Sequence, residues 1–442
     1  MNRQPQISKG IDWSLVWIYG ILVTIGLLSI FAVQYRETDN IMNVVISGSK
    51  DYGKQVRWVV ICLVLAVVIL ITDSKFFTAT ANLQYALGLL LLLLVFPLHA
   101  RVKGTESIIR FGGFQLQPAE LCKVFTLLAL AKYLSRQDTN FTKPRSHLIA
   151  VGITLLPAAI TYMQSETGLA LVYFSLFLAM YREGLPSSYL IAGFLIGALT
   201  VASLLLPPMT LIIVVASVFI IDFLLFRRAV RRKMRLLPAM LMIYGGGLLY
   251  AAVAVPFVMK NVLKPYQVER IYDALGTENP YKKGAPVVQK GPKKEKEDSY
   301  NVKQSKIAIG SGGITGKGFL KNTQTRYDFV PEQHTDFIFC SIAEGFGLVG
   351  GIFLLGIYLL LLWRITIIAE RQRSTFSRVY AYGVAAIIFF HIFINLAMTM
   401  GLAPVIGIPL PFVSYGGTSM ITFTVLLFIL IRLDADRQMV LR

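Results

Sequence analysis

The sequence predicts an all-α polytopic membrane protein, a bundle of about twelve transmembrane helices. Of its 442 residues, 55% are hydrophobic. Mean hydropathy is +0.63. Only 15% are charged, against about 25% in soluble domains. Apolar runs of about 17–25 residues, long enough to cross a bilayer as helices, recur along nearly the whole chain. They fall near 13–33, 55–72, 82–99, 115–134, 148–163, 168–182, 188–206, 209–226, 237–259, 336–363, 377–401 and 416–433.

The first run passes into Gln34-Tyr35-Arg36-Glu37 instead of a small-residue cleavage site, and is too long for a signal core, so it is a retained anchor. The fourth opens with Gln117-Pro118-Ala119-Glu120-Leu121-Cys122-Lys123. Pro118 suits a first helical turn, and Glu120 and Lys123 share a face at i,i+3, so they form an ion pair or meet a lipid phosphate. The run 188–259 holds apolar sequence for three helices, split by Arg227, Arg228, Arg231, Arg232, Lys233 and Arg235. Positive charge elsewhere gathers at Arg136, Lys143 and Arg145, at Arg364, Arg371, Arg373 and Arg378, and at Arg432, Arg437 and Arg442. The positive-inside rule then places both termini in the cytoplasm and the long 260–335 loop outside.

The net charge of +19 divides between those topogenic residues and this outer loop, whose lysines suit lipid headgroups or phosphates. Nucleic acid is not an expected partner there. Cys62, Cys122 and Cys340 all fall inside predicted helices, which leaves no disulfide framework and no cysteine metal site. The chain reads as one integral membrane domain. Within the outer loop, 275–303 is rich in Pro, Gly and Lys and is expected to be a mobile insertion, with order resuming at Gln304.

The chemistry centres on Pro331-Glu332-Gln333-His334-Thr335-Asp336-Phe337, polar sequence that enters an apolar helix carrying Glu344. A carboxylate at that depth is costly and marks function, although Thr335 or Asp336 also suits a helix N-cap. As a general base on a sugar hydroxyl, or as ligand to a divalent cation, Asp336 could do chemistry at the lip of an apolar cavity. The run Gly310–Gly318 fails the P-loop spacing, with Ser311 where the first Gly belongs and Gly318 in place of Ser or Thr. With Lys306 and Lys317 beside it, the run is either a diphosphate cradle or a tight turn. Arg270, in Tyr266-Gln267-Val268-Glu269-Arg270, can clamp phosphate oxygens. Asn395 reads as an interhelical hydrogen bonder, and the Pro404–Gly417 segment as non-helical cavity wall.

Four segments together resemble one family: QPAELCK (117–123), QSKIAIGSGGITGKGF (304–319), NTQTRYDFVPEQHTDFIF (322–339) and GLAPVIGIPLPFVSYGG (401–417). They look like the SEDS proteins (shape, elongation, division and sporulation), nearer the elongation branch. The resemblance implies a SEDS-type helical bundle and a peptidoglycan glycosyltransferase that polymerises lipid II at the outer face of the bacterial cytoplasmic membrane. It implies a class B penicillin-binding protein as partner, beside the undecaprenyl-diphosphate-linked glycan and membrane lipids. Asp336 takes the place of the catalytic aspartate, acting alone or through Mg²⁺ or Mn²⁺. Glu120, Lys123, Gln267 and Arg270 take substrate-binding places in the family pattern, and Lys306, Lys317, His334 and Glu344 are expected to bind substrate from their own surroundings in the sequence.

Members commonly have an Arg-Trp pair where Ser107 and Ile108 stand here, with Arg110 nearby. Their Gln-Pro-Asp is Gln164-Ser165-Glu166, and their acidic pair after HTDF is Glu344-Gly345. Family members typically have ten helices, so 188–259 is expected to contain an extra pair. A lipid II flippase or a non-catalytic scaffold of the elongation machinery are the rival readings. A flippase needs polar groups deep on the cytoplasmic side as well.

Overall fold

The computed structural model describes residues 10–102, 105–111, 114–232, 236–263, 268, 271–272, 280 and 297–437. Among them ten helices are long and apolar enough to cross a bilayer. In order the chain forms α1 (Trp13–Gln34), a short α2 (Ile41–Ser47), α3 (Asp51–Ile71) and α4 (Ser74–Leu98). Strands β1 (His99–Val102), β2 (Thr105–Phe111) and β3 (Phe114–Leu116) follow, then α5 (Pro118–Leu134), α6 (Pro144–Met163), α7 (Thr167–Tyr173) and α8 (Leu176–Arg182). After α9 (Ser187–Leu205), α10 (Pro208–Arg232) and α11 (Leu236–Leu249) come α12 (Glu297–Ser311), α13 (Ile338–Arg371), α14 (Thr375–Thr399) and α15 (Gly417–Ala435).

Two compact units divide the chain: residues 1–185 with 301–442, and residues 186–300. In the larger unit α5, α14 and α15 are buried along most of their length, and Leu127, Tyr380, Phe423 and Leu427 meet in its apolar core. Pro118 and Pro144 stand in the first turns of α5 and α6, where a missing N–H costs nothing. The Asp12 carboxylate caps α1 through Leu15 N at 3.4 Å. It also ties α1 to α13 through Arg364 (2.7 Å) and Arg371 (2.8 Å). Buried Asp434 on α15 takes Gln372 Nε2 at 2.8 Å, Arg437 at 3.1 Å and Arg371 besides. At the ends of α1, α13 and α15 two carboxylates are therefore paired with three arginines.

The smaller unit contains the three helices expected in 188–259. Tyr244 on α11 donates to Asp222 on α10. Beyond α11 the chain continues through π-helical turns at Tyr250–Ala254 and Val258–Val262, and Ser203 on α9 donates to Ala251 O at 2.5 Å.

The structure departs from expectation in three places. A three-stranded antiparallel sheet, β1-β2-β3, fills the segment between α4 and α5, pairing His99 with Ile109 and Arg110 with Gln115. Its signal was there: Lys103-Gly104 and Gly112-Gly113 punctuate runs rich in β-branched residues. Helix α12 starts at Glu297, ahead of the Gln304 expected; the rest of the 275–303 insertion, apart from Pro280, lies outside the described residues. Finally, α13 is broken at Gly347 (φ 64°, ψ −160°), where the sequence reads as one continuous apolar run.

Candidate active site

The turn over 331–337 is held by its backbone. Tyr415 N donates to His334 O at 2.8 Å, Ser414 Oγ to Thr335 O at 2.6 Å and Asn395 Nδ2 to Asp336 O at 2.8 Å. Three successive carbonyls are thus fixed by α14 and by the irregular segment before α15. Neither Thr335 nor Asp336 is the cap of α13, which corrects that expectation. Phe337 occupies the cap position without a side-chain bond, and the Thr335 hydroxyl turns back to Glu332 Oε2 at 3.0 Å. Asp336 is half-buried. Its Oδ2 lies against Gly407 (φ 72°), where an added β-carbon would stand 3.4 Å away.

Asn395 spends its other amide hydrogen on Ile408 O at 2.7 Å, so it joins helix to loop, where the sequence suggested helix to helix. One turn earlier on α14, His391 Nδ1 meets Pro409 O at 3.2 Å. A carbonyl only accepts, so Nδ1 carries the proton and Nε2 accepts from Lys123 Nζ at 3.1 Å. Lys123 Nζ also lies 2.6 Å from Glu120 Oε2, with both side chains almost fully buried, and 4.6 Å from the Phe423 ring centroid. The Glu120–Lys123 pair expected from i,i+3 spacing is present, and it backs the same loop that holds Asp336. His391, which reads as isolated in the sequence, is the link. Its position four residues before Asn395, on the same helix face, is the signal that would have found it.

Glu344 is fully buried. Its Oε1 accepts from Lys317 Nζ (2.7 Å), Thr323 N (2.8 Å), Thr323 Oγ1 (3.1 Å) and Gln324 N (2.8 Å). Its Oε2 accepts from Thr325 N (2.9 Å) and Thr325 Oγ1 (2.8 Å). These six donors exceed the roughly four lone-pair sites of a carboxylate, so Glu344 and Lys317 buckle the outer loop onto α13. The glycine run resolves likewise in favour of a tight turn. Lys317 N and Gly318 N donate to Glu344 O (3.0 Å) and Gly345 O (2.8 Å), while Leu348 N and Val349 N donate to Gly313 O and Ile314 O. Backbone packs on backbone so closely that a β-carbon on Gly347 would meet Gly316 N at 2.4 Å.

The remaining predicted residues scatter around this core. Lys306 is exposed, its ammonium close over Gly401. The next residue inward, Ser305, donates to Thr399 O at 2.6 Å and anchors that part of α12. His334 Nε2 lies 3.4 Å from Asp51 Oδ2 at the start of α3, a carboxylate that the sequence reading missed. Gln267 and Arg270 lie outside the described residues. Ser107 and Glu166, two positions where the family pattern is broken, are hydrogen-bonded to each other at 2.5 Å. The longer arm of Glu166 reaches the shorter Ser107. Among the described residues no three His, Cys, Asp or Glu side chains gather as a metal cage. They fit Mg²⁺ or Mn²⁺ only as an ion held by one carboxylate and completed by substrate phosphate and water.

This arrangement defines a predominantly helical integral membrane protein with a carboxylate at the 331–337 turn. The FTSW_RODA_SPOVE cell cycle protein family matches residues 13–217 and 211–439, and the chain belongs to that family. It is 31% identical to the peptidoglycan glycosyltransferase RodA of Treponema pallidum over 96% of this chain and 97% of that protein. With the peptidoglycan glycosyltransferase MrdB of Escherichia coli K12 it shares 29% identity, covering 89% of each. Among solved structures, a chain of a peptidoglycan synthase complex that coordinates polymerisation and crosslinking superimposes with a TM-score of 0.67. It is 25% identical, covering 97% of this chain and 98% of its own. The rod shape determining protein RodA of Thermus thermophilus shares the fold, with TM-score 0.60 at 23% identity over 97% of each chain.

Proposed function

We propose that this chain is a peptidoglycan glycosyltransferase of the bacterial cytoplasmic membrane, with twelve spans and both termini in the cytoplasm. It polymerises lipid II into β-1,4 glycan strands during cell elongation, beside a class B penicillin-binding protein that crosslinks them. Asp336 removes the proton from the acceptor GlcNAc 4-hydroxyl. That oxygen forms a bond to the anomeric carbon of the lipid-linked donor as the carbon–phosphate oxygen bond breaks, and the configuration inverts from α to β. Undecaprenyl diphosphate leaves with the electron pair. Lys306, together with Gln267 and Arg270 of the outer loop, meets its charge. When bound, Mg²⁺ or Mn²⁺ would supply further electrostatic stabilisation of the diphosphate, held by Asp336.

The observation that carries this reading is the fixation of the turn that bears Asp336, at the carbonyls of His334, Thr335 and Asp336. A general base needs close placement, and these bonds support it by holding the backbone that carries the Asp336 side chain. Against the flippase reading stands the pairing of Arg364, Arg371 and Arg437 with Asp12 and Asp434 at the cytoplasmic ends of the helices.

The test is polymerisation of labelled lipid II by the purified chain with its cognate penicillin-binding protein, the transpeptidase blocked by a β-lactam. Glycan ladders support the reading. Transfer of lipid II across a liposome without ladders would replace it with transport, and neither result with folded protein would leave a scaffold. Ladders that vanish with EDTA and return with Mg²⁺ or Mn²⁺ support the cation, and EDTA-resistant ladders reject it.

A further inference from the structure

We infer that Asp51 is a positioning residue for the same site: it orients His334 so that the ring's other nitrogen meets an oxygen of the substrate's sugar diphosphate. This rests on the glycosyltransferase reading. Asp51 is held before any substrate arrives. Gln34 Nε2 donates to its Oδ2 at 2.8 Å and Lys54 Nζ to its Oδ1 at 3.0 Å. Gln34 Oε1 takes the Asp51 backbone N–H at 2.9 Å. One side chain at the end of α1 therefore grips both the main chain and the carboxylate of the first residue of α3.

A carboxylate in the first turn of a helix is favoured in its charged form by the helix dipole. From this seat Asp51 Oδ2 faces His334 Nε2 at 3.4 Å. The His334 ring is further confined by Tyr415, whose ring centroid is 5.7 Å away, and by the bond from Tyr415 N to its own carbonyl. Nε2 is the ring nitrogen beside Asp51, so Nδ1 is the one left for a ligand. It has no hydrogen-bond partner among the described residues, and the side chain stays 26% exposed. A carboxylate that fixes one imidazole nitrogen sets which nitrogen is offered to a ligand. Only Thr335 separates His334 from Asp336, so a ligand oxygen taken by Nδ1 is registered against the base.

The simpler alternative is a brace between α3 and the 331–337 turn, and the experiment separates the two. Steady-state polymerisation is measured for wild type, Asp51→Asn, Asp51→Glu, His334→Gln and the Asp51→Asn/His334→Gln pair, with thermal unfolding of each. Asp51→Asn and His334→Gln should each raise KM for lipid II about tenfold or more, with kcat changed by less than about threefold. The double variant should be no worse than the worse single one, and Asp51→Glu should recover most of the loss. Multiplying effects in the double variant, an unchanged KM in Asp51→Asn, or a fall in activity that merely tracks lost folded protein would overturn the inference.

Binding of fluorescent lipid II to the same proteins in nanodiscs needs no turnover. If wild type forms no glycan, the glycosyltransferase reading fails on that result. The positioning of His334 is then decided by whether Asp51→Asn weakens binding tenfold or leaves it intact.

Discussion

Replacing Glu344 by Gln should loosen the outer loop far more than it alters any contact with substrate. The amide would be least disruptive with its nitrogen at the Oε2 position, opposite Thr325 N and Thr325 Oγ1. There the hydroxyl can turn to accept, but the backbone N–H loses its only acceptor in this group. A buried unsatisfied N–H costs about 1–3 kcal/mol. The bond from Lys317 also loses its charge-assisted part, discounted because Lys317 is 26% exposed. Together the loss is about 2–4 kcal/mol. We therefore expect Glu344→Gln to lower Tm by several degrees, to open Lys317, Lys321 and Arg326 to trypsin, and to reduce polymerisation through lost order. Lys317→Met, which removes one of the six donors, should show a smaller shift of the same kind. A Glu344→Gln protein with unchanged Tm and protease resistance but a large fall in kcat would refute the buckle and make Glu344 a substrate ligand.

Three further outcomes follow from the same geometry. Lys123→Met or Glu120→Gln alone leaves one charge buried without its partner and should cost about 3–5 kcal/mol of stability. Thermal unfolding of the Glu120→Gln/Lys123→Met pair should recover much of that while glycan synthesis stays low. Gly407→Ala forces an L residue into the left-handed region at about 1–2 kcal/mol and sets a methyl in contact with Asp336 Oδ2 at 3.4 Å. Polymerisation should fall at least tenfold while pull-down of the penicillin-binding partner is retained. At Asp12 burial raises the carboxyl pKa, but hydrogen bonds and charge from Arg364 and Arg371 outweigh it and hold the group below its ordinary value. Its stabilisation is therefore complete above about pH 4 and lost as pH falls through the lower folded value. Asp12→Asn should be less stable at pH 7 and show a weaker acid decline in a Tm-against-pH series.

Helices were legible because the bilayer demands long apolar runs, and runs are visible without contacts. Asp336 stood out for the converse reason: a carboxylate at the start of a long apolar run is one that a bilayer disfavours. Contacts between distant segments were not. His391 and Lys123 are 268 residues apart, and neither shows the other in the sequence. Asp51 reads as an ordinary first-turn acid because its partner His334 lies far along the chain. The break at Gly347 was hidden because hydropathy is blind to φ. The loop contacts of Glu344 and Lys317 were hidden for a related reason, since carboxylate and ammonium look equally apt for substrate or for loop until the backbone donors of Thr323, Gln324 and Thr325 are seen around Glu344.

The most direct test of Asp336 as the base compares wild type, Asp336→Asn and Asp336→Glu for glycan synthesis, with lipid II binding and thermal unfolding measured on the same preparations. The account predicts that Asp336→Asn folds and binds lipid II within a few-fold of wild type yet forms no glycan ladder, with at most a trace from Asp336→Glu. A ladder from Asp336→Asn comparable to wild type would contradict it.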